Sequence, residues 1–386
     1  MTRRELIRDG GLTLASLMAC PASGWCFWEK GFLPSGVDPQ PLSVIQLPLD
    51  DPRRRQNQFI PIARLDDNRF TFGSDGTFTF FHVSDLHERR MHMGDRETVL
   101  FDRLCSRFAP SLVILTGDNV DFRCRGKFEE VAGCVVEFFS RRRIPFAVTF
   151  GNHDTEIIGE GWYSAAEQWE FYRRAAGGLF VDRHDASVLG GGSSRIQIRD
   201  SEGVPRFDLC VLDSGDYGPQ GTALSAHPLF DEKVWRTSFD SVRAPQVEWA
   251  EKTLRDGIPT LFFQHIIVPE ALTRLDRLSI RGEWVEKGGA VKPEVARDPV
   301  YLWQGKSIYD VWRTASNFRG AYFGHDHKNS FEGVTKDGVR LGMTKTFGSC
   351  AYNDGDLGLR VFRLHRDGSF ETNIFTERHP NGLTHC

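Results

Sequence analysis

Phe150-Gly151-Asn152-His153-Asp154 ends an apolar run over residues 144–150, and its reading decides the fold. A short apolar run bounded by turn residues predicts a buried strand. Gly151 lets the backbone turn sharply where that strand stops. Asn152 and His153 then project from the strand's C-terminal end, where open α/β sheets place their ligands. Working outward, the same grammar recurs. Val83-Ser84-Asp85-Leu86-His87 follows the apolar residues 78–81, Gly117-Asp118-Asn119 follows 112–116, and Gly324-His325-Asp326-His327 follows 321–323. Leu261-Phe262-Phe263-Gln264-His265 ends a fifth strand on a lone histidine. The expectation is that all five deliver oxygen and imidazole groups to one edge of one sheet.

The segments between these strands read as helices. Residues 95–108 place Val99, Leu100, Leu104 and Phe108 at helical spacing, with Pro110 as a stop. Residues 127–142 put Val131, Val135, Phe138 and Phe139 on one face, and Arg141-Arg142-Arg143 suits a helix C-terminus. This is β-α-β-α-β, the order of a parallel or mixed sheet with helices on its faces. Further on, the pattern predicts helices over 164–176, 245–255 and 308–316. It predicts paired strands over 195–199 and 207–212, a strand over 260–264, and terminal strands over 340–347, 359–364 and 370–375. Residues 270–306 lack clean periodicity and read as a long irregular loop, a kind that is functional or disordered. The predicted class is α/β (α+β): two sheets packed face to face and flanked by helices.

Composition bounds the function. With 386 residues, 40% of them hydrophobic, the chain can bury a sizeable core. A net charge of −4 and the lack of basic–aromatic clusters argue against nucleic acid as a partner. No apolar run reaches the ~18–20 residues of a membrane span. Thr2-Arg3-Arg4-Glu5-Leu6-Ile7-Arg8, followed by a mildly apolar stretch over 10–19, resembles a twin-arginine export signal with cleavage near Ala22-Ser23-Gly24. Leu17-Met18-Ala19-Cys20 also resembles a lipoprotein box, so a lipid anchor at Cys20 is a second expectation. Both readings place the protein outside the cytoplasm, periplasmic or extracellular. The expected organisation is a signal segment over 1–24, a lead-in over 25–69, one catalytic domain over 70–378 and a tail over 379–386. None of the eight cysteines forms a Cys-x-x-Cys pair, which argues against a zinc ribbon. Cys124 and Cys134 are candidates for a disulfide, whereas Cys105 and Cys210 read as free thiols in apolar segments.

The ligand types narrow the chemistry. Asp85, His87, Asp118, Asn152, His265, His325 and His327 offer oxygen and imidazole donors without thiolate, a set that suits manganese, iron or zinc. Seven donors are too many for one tetrahedral ion and right for two ions sharing a carboxylate, for which Asp118 is the natural bridge. Paired metals ~3.5–4 Å apart generate hydroxide near neutral pH and clamp both oxygens of an in-line displacement. A phosphate ester is the substrate most in need of this. His153 directly follows a candidate ligand, so it can face a leaving group as a general acid. Asp154 is placed to hold the other nitrogen of His153, and Asp326 to orient a ligand imidazole. Arg89 and Arg90 could meet substrate phosphate or line a solvated loop, and Asp213, Asp216 and Tyr217 could line the substrate side.

Taken in order, Asp-x-His, Gly-Asp-Asn, Gly-Asn-His-Asp, a lone His and Gly-His-x-His resemble the motifs of the calcineurin-like metallophosphoesterase superfamily. The resemblance spans roughly residues 78–375. Leu212-Asp213-Ser214-Gly215-Asp216-Tyr217 and the Lys328-Asn329 that follows His327 resemble a subgroup named purple-acid-phosphatase-like, of plant and fungal type. The resemblance implies a four-layer α/β/β/α sandwich and a metal-dependent phosphatase or phosphodiesterase acting through a metal-bound hydroxide. It implies one metal on Asp85, His87, Asp118 and His327, a second on Asp118, Asn152, His265 and His325, and His153 as the acid. One departure matters. Purple acid phosphatases carry a tyrosine three residues after the bridging aspartate, where this chain has Asp121, and they lack the histidine that stands here as His87. The protein is therefore expected not to be purple. Two alternatives are a metal-bound binding protein with little turnover, which would need no acid such as His153, and a nuclease of the same superfamily, which would need a basic groove.

Overall fold

The computed structural model describes residues 70–121, 124, 127–154, 163–185, 188, 192–215, 242–268, 270–271, 275–278 and 306–383. The stretches expected to be an export signal, a lipoprotein box at Cys20 and a lead-in, together with Asp216, Tyr217 and most of residues 270–306, lie outside these residues.

Twelve strands among the described residues build two sheets. The first has five strands in the order β12-β11-β1-β2-β3. Here β1 is Thr77–Val83, β2 Leu112–Thr116, β3 Phe146–Thr149, β11 Gly358–His365 and β12 Phe370–Thr376. β1, β2 and β3 run parallel, and β11 joins β1 antiparallel. Between the parallel strands lie helix α1 (Asp95–Phe108) and helix α2 (Phe128–Ser140), the crossovers such strands require. The second sheet has seven strands in the order β4-β5-β6-β8-β10-β9-β7. They are β4 (Ser194–Arg199), β5 (Pro205–Val211), β6 (Thr260–Gln264), β7 (Leu275–Leu278), β8 (Phe318–Phe323), β9 (Phe331–Thr335) and β10 (Arg340–Met343). Its centre, β5-β6-β8-β10, is parallel. Helices α3 (Ala165–Ala176), α4 (Ala244–Leu254) and α5 (Ile308–Thr314) complete the layers.

Three apolar clusters fill the three spaces between four layers, α/β/β/α. Successive strand residues point to opposite faces, so neighbours in sequence enter different clusters. Phe80 faces the inter-sheet cluster with Phe263, Tyr322 and Phe362, whereas Phe81 packs under α1 and α2 with Phe101 and Phe139. Phe262 faces α4 and α5 with Val247 and Trp312. All residues of β2 are buried, as expected of a strand covered on both faces. Polar groups also cross the inter-sheet space. His82 in β1 shares one ring nitrogen with Thr116 Oγ1 and the other with Thr344 Oγ1, each at 2.7 Å. Arg360 in β11 donates to Phe331 O and Met343 O at 2.8 and 2.9 Å and pairs with Glu332 at 3.3 Å.

Several expectations need correction. The motif strands do not share one sheet: β1, β2 and β3 belong to the first, β6 and β8 to the second. A fully buried apolar run carries no mark of which sheet it joins. Val99 is 65% exposed, and Phe101 takes the inward place on α1. Part of the 270–306 loop is β7, which completes an edge by pairing with β9. Both are short, and β9 contains Gly333, so neither shows clear periodicity. Cys124 and Cys134 are free thiols. Both sit in the α1/α2 core, where burial raises their pKa, and Cys134 Sγ points to Arg90 O at 3.4 Å. The residues after β12 fold back on it, with Leu383 N donating to Ile374 O at 2.9 Å.

Candidate metal centre

The two sheets meet with the C-terminal ends of their parallel strands side by side. The loops there are sewn together by main-chain hydrogen bonds: Asp85 N to Gly117 O (3.1 Å), His87 N to Asp118 O (2.7 Å), Gly324 N to His265 O (3.1 Å) and Gly348 N to Asp85 O (3.1 Å). Gly151 serves this convergence differently from the sequence reading. It does not adopt positive φ. A Cβ there would lie 2.3 Å from Asp118 Oδ1 and 2.7 Å from His265 Nε2, so only glycine lets these groups close in.

Six non-glycine described residues have positive φ, and four of them are Asp85 (57°), His87 (44°), Asp118 (51°) and His325 (75°). Each left-handed placement costs roughly 1–3 kcal/mol and persists only where surroundings over-determine it. The strain is thus concentrated on candidate ligands, turned to face one another.

The side chains form two groups that share a carboxylate. Asp85, His87, Asp118 and His327 make the first, and Asp118, His265 and His325 the second; within each, the donor atoms lie within 4.8 Å of one another. Asn152 joins the second group, its Oδ1 3.2 Å from His265 Nε2. All seven residues are buried.

Protonation follows from the partners. Nδ1 of His265 faces Thr116 O, and Nδ1 of His327 faces Tyr352 O, each at 2.8 Å. A carbonyl only accepts, so the proton sits on Nδ1, and Nε2 of the neutral ring carries a lone pair. That lone pair of His327 lies 3.0 Å from His87 Nε2. Asp118 Oδ2 lies 3.2 Å from His87 Nε2 and 3.3 Å from His265 Nε2, yet accepts no well-aligned hydrogen bond. Its other oxygen accepts from His153 N at 2.8 Å. Lone pairs at this spacing repel unless cations sit among them, so the donor set fits metal ions. Without a metal, a proton takes the place of a cation in the cluster. Burial opposes charge on both partners, but the Asp118 carboxylate holds the His265 ring up to about 9, and the surrounding imidazoles hold Asp118 well below the usual carboxylate range. Cations in the cluster would displace the proton on His265.

Other expected roles change. Asp154 does not orient the His153 ring. Its carboxylate accepts from Asn119 N (2.8 Å), Val120 N (3.1 Å) and Gly151 N (2.8 Å), tying the β2 and β3 loops together. Burial, then the charge of Asp118, raises its pKa to about 7. Asp326 accepts from Lys328 N (3.3 Å) and Asn329 Nδ2 (2.5 Å) within its own turn, and main-chain carbonyls orient the imidazoles instead. Those carbonyls, of Thr116 and Tyr352, are the functional groups the sequence reading missed, because every residue has one. Arg90 is not free for substrate. It donates to Glu88 at 2.8 Å and to Glu97 at 3.0 Å, clamping the β1 loop to α1. Arg89 is half-buried, and its N–H also donates to Glu88 (3.0 Å). Asp213 is half-buried in the turn after β5, its carboxylate accepting from Gly215 N at 2.8 Å. His153 is half-buried with its ring 5.1 Å from that of His87, at the lip of the first group.

Comparison with known proteins agrees with this construction. A protein described as probable inactive purple acid phosphatase 28 of Arabidopsis thaliana is 24% identical over 333 residues, covering 76% of each chain. The crystal structure of a dimetal phosphatase from Danio rerio superposes with a TM-score of 0.52 at 14% identity, over 78% of this chain and 95% of that one. At that identity the superposition speaks for the fold alone. The model of the calcineurin-like phosphoesterase family matches residues 78–329, more than half the chain, from the strand before Asp85 to just past His327. Two sheets that converge on a shared aspartate, with the matched segment enclosing every candidate ligand, make this chain a member of the calcineurin-like phosphoesterase family.

Proposed function

We propose that the protein is a metal-dependent phosphoesterase that holds two metal ions. Asp85, His87, Asp118 and His327 would hold the first, and Asp118, Asn152, His265 and His325 the second. The observation that carries this reading is the sharing of Asp118 between two buried groups whose remaining donor atoms all turn inward. When bound, such a metal pair supplies charge stabilisation for a phosphoryl group and activation of water near neutral pH. The chain's own residues do the rest. The carbonyls of Thr116 and Tyr352 fix two imidazoles by their Nδ1–H groups, and Asp154 fixes the loops that carry Asp118 and Asn152. His153 holds a proton at the lip of the site and passes it to the departing ester oxygen. Manganese, iron and zinc all suit these donors, and the substrate is a phosphomonoester or phosphodiester.

The test is turnover of an aryl phosphate by manganese-loaded protein, with metal content measured in parallel. Two ions per chain and hydrolysis that disappears in Asp118→Asn are expected. One ion or none in active wild-type protein would overturn the two-metal reading. The inactive designation of the Arabidopsis relative favours a second reading, a metal-bound binding protein. Its signature would be full metal loading without turnover of any ester.

A further inference from the structure

We propose that Tyr352 forms a stacking subsite for the substrate's ester group, selecting phosphoesters whose ester substituent is a flat ring. The proposal rests on the phosphoesterase reading above and names its substrate class. Tyr352 touches the candidate metal centre in two ways. Its carbonyl oxygen takes the Nδ1–H of His327 at 2.8 Å, and its ring lies on the His327 imidazole with centroids 4.1 Å apart and planes 30° apart. The first interaction needs only a main-chain oxygen, and the second sets the tyrosine ring itself beside the donor cluster. The ring continues a row of rings, Tyr352 on His327, His327 on His87 at 4.7 Å, and His87 on His153 at 5.1 Å. Tyr352 is half-buried whereas His327 is buried, so the row passes from the donor cluster toward solvent at the tyrosine.

The ring is also rigidly presented. Ser349 donates to buried Glu97 from both its N–H (2.7 Å) and its hydroxyl (2.5 Å). Lys345 pairs with Asp354 at 2.6 Å, and Asn353 Oδ1 accepts from Gly355 N at 2.7 Å. A loop pinned on both sides of Tyr352 loses little entropy when a ligand packs on it, which is how a preorganised subsite gains affinity. Lys328, directly after the ligand His327, brings its ammonium to 5.8 Å from the Tyr352 ring centroid. A positive charge beside an aromatic ring matches a ligand that is anionic at phosphorus and flat beyond it.

The experiment compares phenylphosphonate with methylphosphonate, neither of which can be hydrolysed at its P–C bond, by titration calorimetry on the manganese-loaded full chain. Phenylphosphonate should bind roughly three- to tenfold tighter, the usual worth of an aromatic pair beyond burial. Tyr352→Phe should keep that ratio. Tyr352→Leu, which keeps bulk and the carbonyl but removes the π face, should lower it toward unity, as should Tyr352→Ala. If the alanine variant does not fold, the leucine and phenylalanine variants decide. Equal binding of both phosphonates by the wild type, or a ratio that survives in Tyr352→Leu, overturns the subsite. Phenyl preference without turnover of any ester would leave the subsite standing and remove the phosphoesterase reading. Turnover without phenyl preference would do the reverse.

Discussion

At the scale of single residues, the site depends on where neighbours in sequence are sent. Asn152 delivers its side chain to within 3.2 Å of His265, while His153, one residue on, stays half-buried at the lip with its main chain bonded to Asp118. A group so placed can donate a proton without being a ligand. His153→Asn is therefore expected to keep its metals and slow turnover by about 10²- to 10⁴-fold, the range for a general acid. The loss should be largest for alkyl phosphates, whose leaving alkoxides are strong bases, and smallest for nitrophenyl phosphate. Equal losses for both esters at unchanged metal content would show that His153 binds phosphate. Loss of metal would make it a ligand. Asp154, beside it, shows the limit of sequence reasoning at this scale. Its identity suggested a partner for His153, but three main-chain N–H donors already occupy its carboxylate.

At the scale of elements, the loops that carry the candidate ligands approach one another closely at particular glycines. Gly348 N donates to Asp85 O, and a Cβ on Gly348 would fall 1.7 Å from Leu86 O and 2.4 Å from Leu86 C. Leu86 lies between Asp85 and His87, both in the left-handed region, so its backbone cannot yield without moving two candidate ligands. Gly348→Ala should destabilise the fold by about 1–3 kcal/mol or more, as overpacking does, and should also weaken manganese binding. Urea unfolding and metal titration of the variant check both parts; wild-type values in either would show that this contact does not hold the ligand loop. Helix boundaries were legible from periodicity and from Pro110, and the structure adds local caps to two of them. Ser164 and Glu167 form a capping box before α3, and Ala109 ends α1 in the left-handed conformation with its N–H on Cys105 O.

At the scale of the molecule, the candidate ligands come from both sheets: Asp85, His87, Asp118 and Asn152 follow strands of the first, and His265, His325 and His327 follow strands of the second. Metal ions held among them would cross-link the sheets at one end of the sandwich, as the His82 and Arg360 hydrogen bonds do in its interior. Ions that bind only the folded state stabilise it by mass action, by about 2.7 kcal/mol per site at a hundred times Kd. Manganese should accordingly go on raising the unfolding temperature as its free concentration climbs above Kd, and a chelator should reverse the shift. His325→Ala should retain only part of the gain. Calorimetric scans against metal concentration measure this, and an unfolding temperature indifferent to manganese would contradict the cross-link.

The sequence by itself determined the strand-then-turn grammar, the seven candidate donors and the alternation of helices and strands. These are local facts: apolar runs, periodicity and turn residues act within a few positions. Only the tertiary structure decided that the donors come from two sheets, because β2 and β6 are equally apolar and nothing local says which strands they pair with. The same holds for the carbonyls that set the imidazole tautomers, for the capture of Arg90 by Glu88 and Glu97, and for the tyrosine laid on His327. Each depends on residues far apart in the chain or on main-chain atoms that every residue possesses. A sequence can name the groups that do chemistry, but which atoms face them is settled by packing.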